Sequence, residues 1–317
     1  MVLLSVSSRA SINTTLATWN LVTSSNLTHV NDIEGRAFVG GNATLSSGFQ
    51  VGNGNSSVSK STVTLAVQGN IKTGGYINLN GGSITAGGTI SAAGVNKNSG
   101  GTVTAGSSYA ANNSPVAELT RDSKYWSTLK ANGTITENAA SQYVLNTPSG
   151  SSLAVFDVTD TSFFENSTIN GYTLNVSAST TTILINVYSQ DGTVNWTKGD
   201  FFDLFQTSYW KGRVLFNFYN ATTVNLHDQI TGYVVAPYAT VTENNNIDGG
   251  VFAENLYVGS EVHLPDRNTS ESSWYGDLPD APTDVPEPAG YGLASALGLL
   301  SLCTGQFLLP RLRKNRR

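Results

Sequence analysis

The chain has 317 residues and a formal net charge of −5, and 12% of its residues are charged, about half of the ~25% that is usual for soluble domains. Five of the 17 basic residues follow Pro310, so the preceding part holds 12 basic and 22 acidic side chains. This balance argues against nucleic acid as a partner, because nucleic-acid binding depends on clustered lysine and arginine. The single cysteine, Cys303, lies in an apolar run near the C-terminus, so the rest of the chain has no disulfide.

The N-terminal residues do not form a complete secretion signal. The apolar stretch from Met1 to Val6 is shorter than the apolar region of a signal peptide, and no basic residue precedes it. We therefore expect either a start codon further upstream or that residues 1–10 are the remnant of a longer signal. Residues 1–17 are accordingly assigned to a separate N-terminal segment.

Residues 18–107 consist of short β-like runs separated by glycine and asparagine. Apolar side chains alternate in one of these runs, which predicts that Val63, Leu65 and Val67 share one face of a strand. The intervening glycines permit the positive φ that sharp corners require. This pattern fits the corners of a β-solenoid, and it also fits the hairpins of a β-sandwich, since no strict repeat length is present.

One helix is predicted at residues 114–130. Ser114 is a suitable N-cap, and Pro115 fits the first helical position. An apolar stripe at helical spacing predicts that the helix packs against one sheet face. The stripe consists of Leu119, Trp126 and Leu129.

Strands resume at residue 153. Residues 183–187 are apolar except for Asn186, which is typical of a strand buried on both faces. After Pro265 the composition becomes polar and proline-rich. Residues 277–284 are therefore predicted to form a flexible stalk, with the linker itself at 280–284.

The last 33 residues carry three features in a fixed order. A short motif, Val285-Pro286-Glu287-Pro288, precedes an uncharged apolar run of 21 residues at 289–309. As a helix this run would reach ~31 Å, enough to cross a hydrocarbon core of ~30 Å. The basic residues that follow are predicted to stop transfer and to hold the C-terminus in the cytoplasm. They are Arg311, Arg313, Lys314, Arg316 and Arg317.

This combination resembles the PEP-CTERM sorting signal of bacterial proteins. The resemblance implies that an exosortase, a membrane protease, recognises the motif, cuts near it, and releases or re-anchors the protein at the cell surface. A plain C-terminal transmembrane anchor is the alternative, because such anchors share the apolar helix and the basic end. Either tail predicts that the part before Ala289 lies outside the cytoplasm.

Four regions of this outer part resemble motifs of the choice-of-anchor A domain. They are residues 32–43, residues 214–222, the pair 232–239 and 248–253, and the terminal pair 261–263 and 275–279. The resemblance covers residues 18–279 and implies a β-solenoid-like adhesive domain of bacterial surface proteins, with no established enzymatic activity and no cofactor. The family carries different C-terminal anchors, PEP-CTERM among them, so the two resemblances support each other.

The predicted fold class is therefore mainly β: a β-solenoid or parallel β-helix with one packed α-helix, followed by a C-terminal transmembrane helix. The domain boundaries that follow from the sequence are 1–17 for the N-terminal segment, 18–279 for the adhesive domain, 280–284 for the linker, and 285–317 for the motif, the transmembrane helix and the basic tail.

The histidines do not predict a catalytic or metal site. His29, His227 and His263 lack the spacing of metal ligands. His263 stands two residues after Glu261 and could be half of a site. We expect instead that it belongs to the hydrogen bonding that closes the last coil, because it lies in the terminal signature of the resembled family.

Two pairs of acids are candidates for glycoside cleavage, which needs two carboxylates at a suitable separation. They are Asp32 with Glu34, and Glu243 with Asp248. We expect them to be surface acids on turns. Their spacing also differs from that of a calcium-binding loop, so no catalytic residue, no metal and no cofactor is predicted.

Three functions remain open from the sequence. The leading hypothesis is a non-enzymatic surface or matrix adhesin that binds extracellular polysaccharide or other cells, with exposed Trp and Tyr rings stacked on sugars. The second is a carbohydrate-active enzyme on a β-helix, supported by fold analogy alone. The third is ice binding through a threonine ladder, for which Thr62-Val63-Thr64 and Thr102-Val103-Thr104 are the clearest candidates. Further predicted partners are an exosortase and, through the C-terminal helix, the membrane.

Overall fold

The computed structural model describes residues 11–54, 58–197, 207–266 and 273–282. Within these residues the fold is mainly β, with 21 strands in one curled sheet and three in a second, small sheet. Of the described residues, those up to Asp280 form one compact unit, and Ala281 and Pro282 are assigned to a second. All elements described below belong to the first unit.

The first half of the chain forms thirteen short strands and three helices within the described residues. The strands are β1 (Leu21–Thr23), β2 (Leu27–Thr28), β3 (Asp32–Ile33), β4 (Ala37–Val39), β5 (Ala43–Thr44), β6 (Gln50–Val51), β7 (Val63–Val67), β8 (Ile71–Lys72), β9 (Tyr76–Leu79), β10 (Ser83–Ala86), β11 (Ile90–Ser91), β12 (Gly94–Lys97) and β13 (Val103–Thr104). The helices are α1 (Ile12–Thr18), α2 (Tyr109–Asn112) and α3 (Val116–Trp126).

The second half contains the longer strands and, in its described ranges, two short helices. The strands are β14 (Thr134–Glu137), β15 (Gln142–Asn146), β16 (Leu153–Val158), β17 (Gly171–Asn175), β18 (Thr182–Val187), β19 (Thr193–Trp196), β20 (Val214–Asn217), β21 (Thr223–Leu226), β22 (Ile230–Glu243), β23 (Ile247–Val258) and β24 (Glu261–His263). The helices are α4 (Ser162–Glu165) and α5 (Ser208–Lys211).

The strands of the large sheet pair in parallel and wind into a solenoid with three walls. Wall A contains β1, β4, β7, β10, β13, β16, β18 and β20. Wall B contains β2, β5, β8, β11, β19 and β21. Wall C contains β3, β6, β9, β12 and β24. The long strands β22 and β23 bend across all three walls.

The chain does not climb the solenoid in sequence order. It enters in the middle with β1 and advances coil by coil to β13 at one end. After α3 it restarts at the other end with β16 and returns through β18, β20 and β22. The return ends where β23 pairs with β1 and β24 pairs with β3.

Alternate side chains of the strands fill the interior with stacked apolar residues, as the period of two in a strand requires. Along wall A the register aligns Val103, Ile84, Leu65, Ala37, Leu21, Val251, Val234, Phe216, Ile185 and Phe156. The coil length varies greatly: from Leu21 to Ala37 the chain advances 16 residues, and from Ile185 to Phe216 it advances 31. This variation explains why the sequence shows no strict repeat.

The outer surface of wall A is covered by α1, α2 and α3, which bury a second apolar layer. The helix predicted at residues 114–130 is confirmed as α3. Leu119 and Trp126 are buried, and Leu129 packs against the same layer. The indole of Trp126 also donates a hydrogen bond to the carbonyl of Pro279 at 3.0 Å. Residues 277–280 therefore pack against the domain, and the prediction of a flexible stalk that begins at residue 277 is wrong. Helix α1 was not predicted, because its few apolar residues show no complete helical stripe.

Two strand predictions have different outcomes. Residues 182–187 are buried throughout, Asn186 included, so the prediction of a strand buried on both faces is confirmed. The prediction that Val63 shares a face with Leu65 and Val67 is wrong. A register shift opposite Ser83 moves Val63 into the outer layer, while Leu65 and Val67 face the interior.

The small sheet closes one end of the solenoid. It consists of β14, β15 and β17. Leu145 of β15 and Tyr172 and Leu174 of β17 join the interior core, together with Phe163 and Phe164 of α4. At the opposite end, Ile90, Val95 and Val103 are only partly buried.

None of the helices in the described part of the chain is long and apolar enough to cross a membrane. The predicted transmembrane helix lies outside the described residues, as do the motif Val285 to Pro288 and the basic residues from Arg311 to Arg317.

Candidate functional site

The outer surface of wall B carries two parallel columns of polar side chains. The apolar residue between the columns, such as Val194, Val224 or Val241, points into the core. The first column contains Thr193, Thr223, Thr240, Asn255, Asn26, Asn42, Asn70 and Thr89. The second contains Asn195, Asn225, Thr242, Tyr257, Thr28, Thr44, Lys72 and Ser91. All these side chains are exposed or half-buried.

The asparagines of the first column are fixed by hydrogen bonds that run from coil to coil. The side-chain oxygen of Asn26 accepts from the backbone N–H of Asn42 at 3.0 Å, and that of Asn42 accepts from Asn70 at 2.9 Å. The oxygen of Asn70 in turn accepts from Thr89 at 2.8 Å. These bonds hold the amides in one orientation, so the column is ordered before any ligand binds.

A glycine is required beside this column. A Cβ at Gly69 would lie 2.5 Å from the side-chain oxygen of Asn42 and 2.7 Å from the carbonyl of Gly41. Both distances are shorter than real Cβ contacts. Gly69 therefore permits the coil to approach its neighbour closely enough for the asparagine bonds to form.

The two columns form a regular array. Adjacent strands are about 4.8 Å apart, and alternate residues along a strand are about 6.6 Å apart. The array repeats over eight coils, with Lys72 and Tyr257 as the two members that are neither Asn, Thr nor Ser. Such an array can make many similar contacts with an extended, repetitive surface.

Threonine pairs alone do not reveal this array in the sequence, because more than half of its members are not threonine. Thr64 of the candidate Thr62-Val63-Thr64 is buried, and its hydroxyl donates to the carbonyl of Gly81 at 2.9 Å. That candidate is therefore wrong. Thr102 and Thr104 are exposed on the terminal coil of wall A rather than on wall B. A search for Thr or Asn on both sides of one apolar residue would have found the array.

Wall C carries an ion-pair network around His263. One ring nitrogen lies 2.8 Å from Asp248 and the other lies 2.8 Å from Glu261. Lys211 of α5 donates to the second oxygen of Asp248 at 2.5 Å. The hydrogen bond to Asp248 raises the pKa of His263 to about 9. Although burial would raise it, hydrogen bonds from His263 and Lys211 lower the pKa of Asp248.

This network favours a structural role for His263. The imidazole is protonated at neutral pH, so it has no free lone pair with which to act as a base. His263 lies on β24, the strand that pairs with both β23 and β3. The expectation that His263 belongs to the hydrogen bonding of the closing coil agrees with this position.

The four candidate acids are not surface residues on turns, and that expectation is wrong. Asp32, Glu34, Glu243 and Asp248 are all buried. Asp32 accepts from the side chain of Asn53 at 2.7 Å, and Glu34 accepts from the backbone of Leu264 at 2.9 Å. Within the described residues, no group of three or more His, Cys, Asp or Glu side chains could hold a metal ion.

Tryptophan and tyrosine side chains differ in their exposure to solvent. All five tryptophans are buried, so the expectation of exposed Trp rings is wrong. Tyrosines are exposed instead, at Tyr76, Tyr188, Tyr209, Tyr238 and Tyr257. Tyr257 lies on wall B and stacks on His29, with ring centroids 5.4 Å apart.

Comparison with known proteins identifies the domain. A family model described as "Putative Ice-binding-like adhesive domain" matches residues 12–264. No curated protein matches the chain, and no solved structure matches it. The matched range runs from α1 to the residue after β24, so it contains all three walls of the solenoid. Because the match covers most of the sequence, the chain belongs to this family of ice-binding-like adhesive domains.

Proposed function

We propose that the chain is a non-enzymatic adhesive domain of an exported surface protein, and that wall B is its contact surface. The observation that carries the proposal is the ordered array of two polar columns over eight coils. Membership of an adhesive-domain family supports an extracellular or surface location. The resemblance to the choice-of-anchor A domain agrees with both points.

The physical basis of adhesion would be repetition. A single hydrogen bond from an exposed hydroxyl or amide contributes roughly 1 kcal/mol, which is too little for stable attachment. When contacts at a fixed spacing meet a repetitive partner, each contact raises the effective concentration for the next. The rigid asparagine column lowers the entropic cost of these contacts, because its side chains are already ordered.

The test is an adhesion assay with the full-length chain on whole cells and on extracellular polysaccharide matrix. A bulky side chain in the array, as in Thr44→Tyr or Thr242→Tyr, should prevent close approach and weaken attachment. The matched control is Asn96→Tyr, which adds the same volume to exposed Asn96 on wall C. If the intact chain attaches to neither surface, or if the wall C variant weakens attachment equally, the proposal is wrong.

Ice binding is the second candidate, and the same array favours it. A face with hydroxyls at two fixed spacings can order water, and Thr240-Val241-Thr242 supplies a threonine pair on wall B. Lys72 and Tyr257 interrupt the columns, which counts against a perfect lattice match. Thermal hysteresis of the full-length chain separates the candidates. A freezing-point difference that Thr44→Tyr abolishes would favour ice over cells or matrix.

We also propose that an exosortase processes the C-terminal tail. The proposal rests on the motif followed by the apolar run and the basic end. Glu287→Ala should leave membrane insertion intact but block processing, because the motif is separate from the apolar run. The full-length form would then accumulate in the membrane. If the mature protein of wild-type cells that contain an exosortase retains Arg317, a plain anchor is the correct interpretation.

A further inference from the structure

One corner of the solenoid carries a tyrosine on three consecutive coils. The corner lies where the chain passes from wall A to wall B, after β18, after β20 and within β22. Asn186, Asn217 and Val235 are aligned in register just before it. Tyr188 and Tyr219 each follow two residues later, and Tyr238 lies in the irregular segment between Ala236 and Thr240. We call Tyr188, Tyr219 and Tyr238 the tyrosine corner.

The rings of this corner are at least partly accessible, and two of them are close together. Tyr188 is 39% exposed, Tyr238 is 46% exposed, and Tyr219 is half-buried. The rings of Tyr188 and Tyr219 have centroids 6.3 Å apart and planes inclined by 35°. Because neighbouring coils are about 4.8 Å apart, the backbone positions of the three tyrosines span roughly 10 Å along the solenoid axis.

The polar array of wall B begins directly beside the tyrosine corner. Each of the three turns is followed by a threonine of the first column, namely Thr193, Thr223 and Thr240. In each of these three coils, a tyrosine of the corner is therefore followed along the chain by a threonine hydroxyl of the array. A tyrosine ring offers an apolar face with a polar tip, and this combination suits a ligand that has apolar C–H faces and a rim of hydroxyl groups.

The charge at the corner disfavours a strongly acidic ligand. Residues 187–192, 218–222 and 236–240 contain no lysine or arginine, and the first of these turns contains Asp191. Burial and the neighbouring Asp157 raise the pKa of Tyr219, so an acid lies close to its ring. Glu254 is exposed on the next coil of the same corner. A polyanion would be repelled here, whereas a neutral chain would not.

We propose that the tyrosine corner binds a neutral polysaccharide whose chain runs along the solenoid axis. Sugar rings stack on Tyr188, Tyr219 and Tyr238, and their hydroxyls bond to the adjacent threonines of wall B. This inference rests on the proposed adhesive function and assigns it a ligand class and a place. Adhesion through wall B alone would remain if the corner had no role.

The experiment is affinity electrophoresis of the full-length chain through gels that contain one polysaccharide each. The neutral probes are hydroxyethylcellulose, amylose and dextran, and the anionic probe is alginate. We expect retardation by at least one neutral probe and none by alginate. The double variant Tyr188→Ser with Tyr238→Ser should bind at least ~10-fold more weakly, which corresponds to ~1.4 kcal/mol. The Tyr→Phe versions should retain binding within about 3-fold, since the ring face is kept.

The matched control is Tyr76→Ser, which removes another exposed tyrosine from wall C. It should leave the mobility unchanged, and thermal unfolding should show that all variants remain folded. Absence of retardation by every neutral probe, stronger retardation by alginate, or an equal loss in Tyr76→Ser would overturn the proposal.

The same variants are then tested in the adhesion assay, so that the two proposals fail separately. If the intact chain attaches to cells or matrix and the serine variants attach equally well, the tyrosine corner is not the site, although the adhesive function stands. If the intact chain neither attaches nor binds a probe, both proposals are wrong. A third outcome is attachment that depends on Tyr188 and Tyr238 but persists on protease-resistant protein coatings that carry no glycan. This outcome would identify a protein ligand and overturn the proposal of a polysaccharide ligand.

Discussion

Glu243 is expected to make the stability of the domain fall as the pH rises from acidic to mildly alkaline values. It ends β22 in an interior position, in register with Leu226 and Val258, and its side chain is fully buried. One carboxyl oxygen accepts from the backbone N–H of Asn245 at 2.6 Å. The other has no hydrogen-bond partner among the described residues. Burial raises the pKa of Glu243 from 4.5 to about 8.

The sign and the size of the effect follow from these two values. Below pH 4.5 the carboxyl is protonated in both the folded and the unfolded state, so it does not make the free energy of unfolding change with pH. Between pH 4.5 and about 8 the folded state keeps a proton that the unfolded state has released. The free energy of unfolding then falls by about 1.4 kcal/mol for each pH unit. Between pH 5 and pH 7 the loss amounts to ~3 kcal/mol.

Glu243→Gln removes this dependence while it keeps the size and the hydrogen-bond acceptor of the protonated side chain. Urea unfolding of the full-length chain, followed by the fluorescence of the buried tryptophans, measures the free energy at several pH values. We expect the variant to match the wild type at pH 5 within ~1 kcal/mol and to exceed it by ~2–3 kcal/mol at pH 7.5. Glu254→Gln, on an exposed glutamate of β23, is the control and should change neither value. An unaltered pH dependence in Glu243→Gln would refute the reasoning.

Three further outcomes test the packing and the ion pairs. Trp126→Ala should lower the free energy of unfolding by ~3–5 kcal/mol, because it empties a fully buried site between α3 and wall A; retention of wild-type stability would contradict the two-layer core. Gly69→Ala should cost ~1–3 kcal/mol by collision with Asn42, whereas Gly74→Ala, where a Cβ meets nothing within 4 Å, should be nearly neutral. His263→Gln should cost ~1–2 kcal/mol at pH 6, reduced by the partial exposure of the ring, and little at pH 10. The raised pKa of His263 places its stabilisation below pH 6.5, with loss as the pH passes about 9, so an equal cost at both pH values would count against the ion pairs.

The predictions that the structure confirms were based on the spacing of apolar residues within a single helix or strand. The stripe through Leu119 and Trp126 identified α3, and the apolar run at 183–187 identified a strand buried on both faces. Both signals lie within one element, where side-chain spacing alone decides which face is buried. The β-solenoid could be proposed from short runs and glycine corners, but its coil lengths differ too much for a repeat to be visible.

The polar array and the burial of the acids depend on which coils stack on one another, and the sequence does not show this long-range register. Asn42 and Asn70 are adjacent in the array although 28 residues separate them, and nothing in either segment indicates that their coils stack. The buried acids were placed on the surface for the same reason. Asp32 and Glu34 are polar residues in a turn-rich segment, and only the folded chain brings Asn53 and the backbone of Leu264 to them.

The pairing of β23 with β1 has a consequence for how the domain is made. A solenoid that grows from one end can fold progressively, since each coil contacts only its neighbours. Here the first coil lies in the middle, and Leu21 of β1 pairs with Val251 of β23, which follows 230 residues later in the chain. Until then one edge of the N-terminal half is unpaired, and such edges associate readily with other chains. The last strands, β23 and β24, therefore complete the sheet by covering this edge. A chain truncated before them would be left with an aggregation-prone edge.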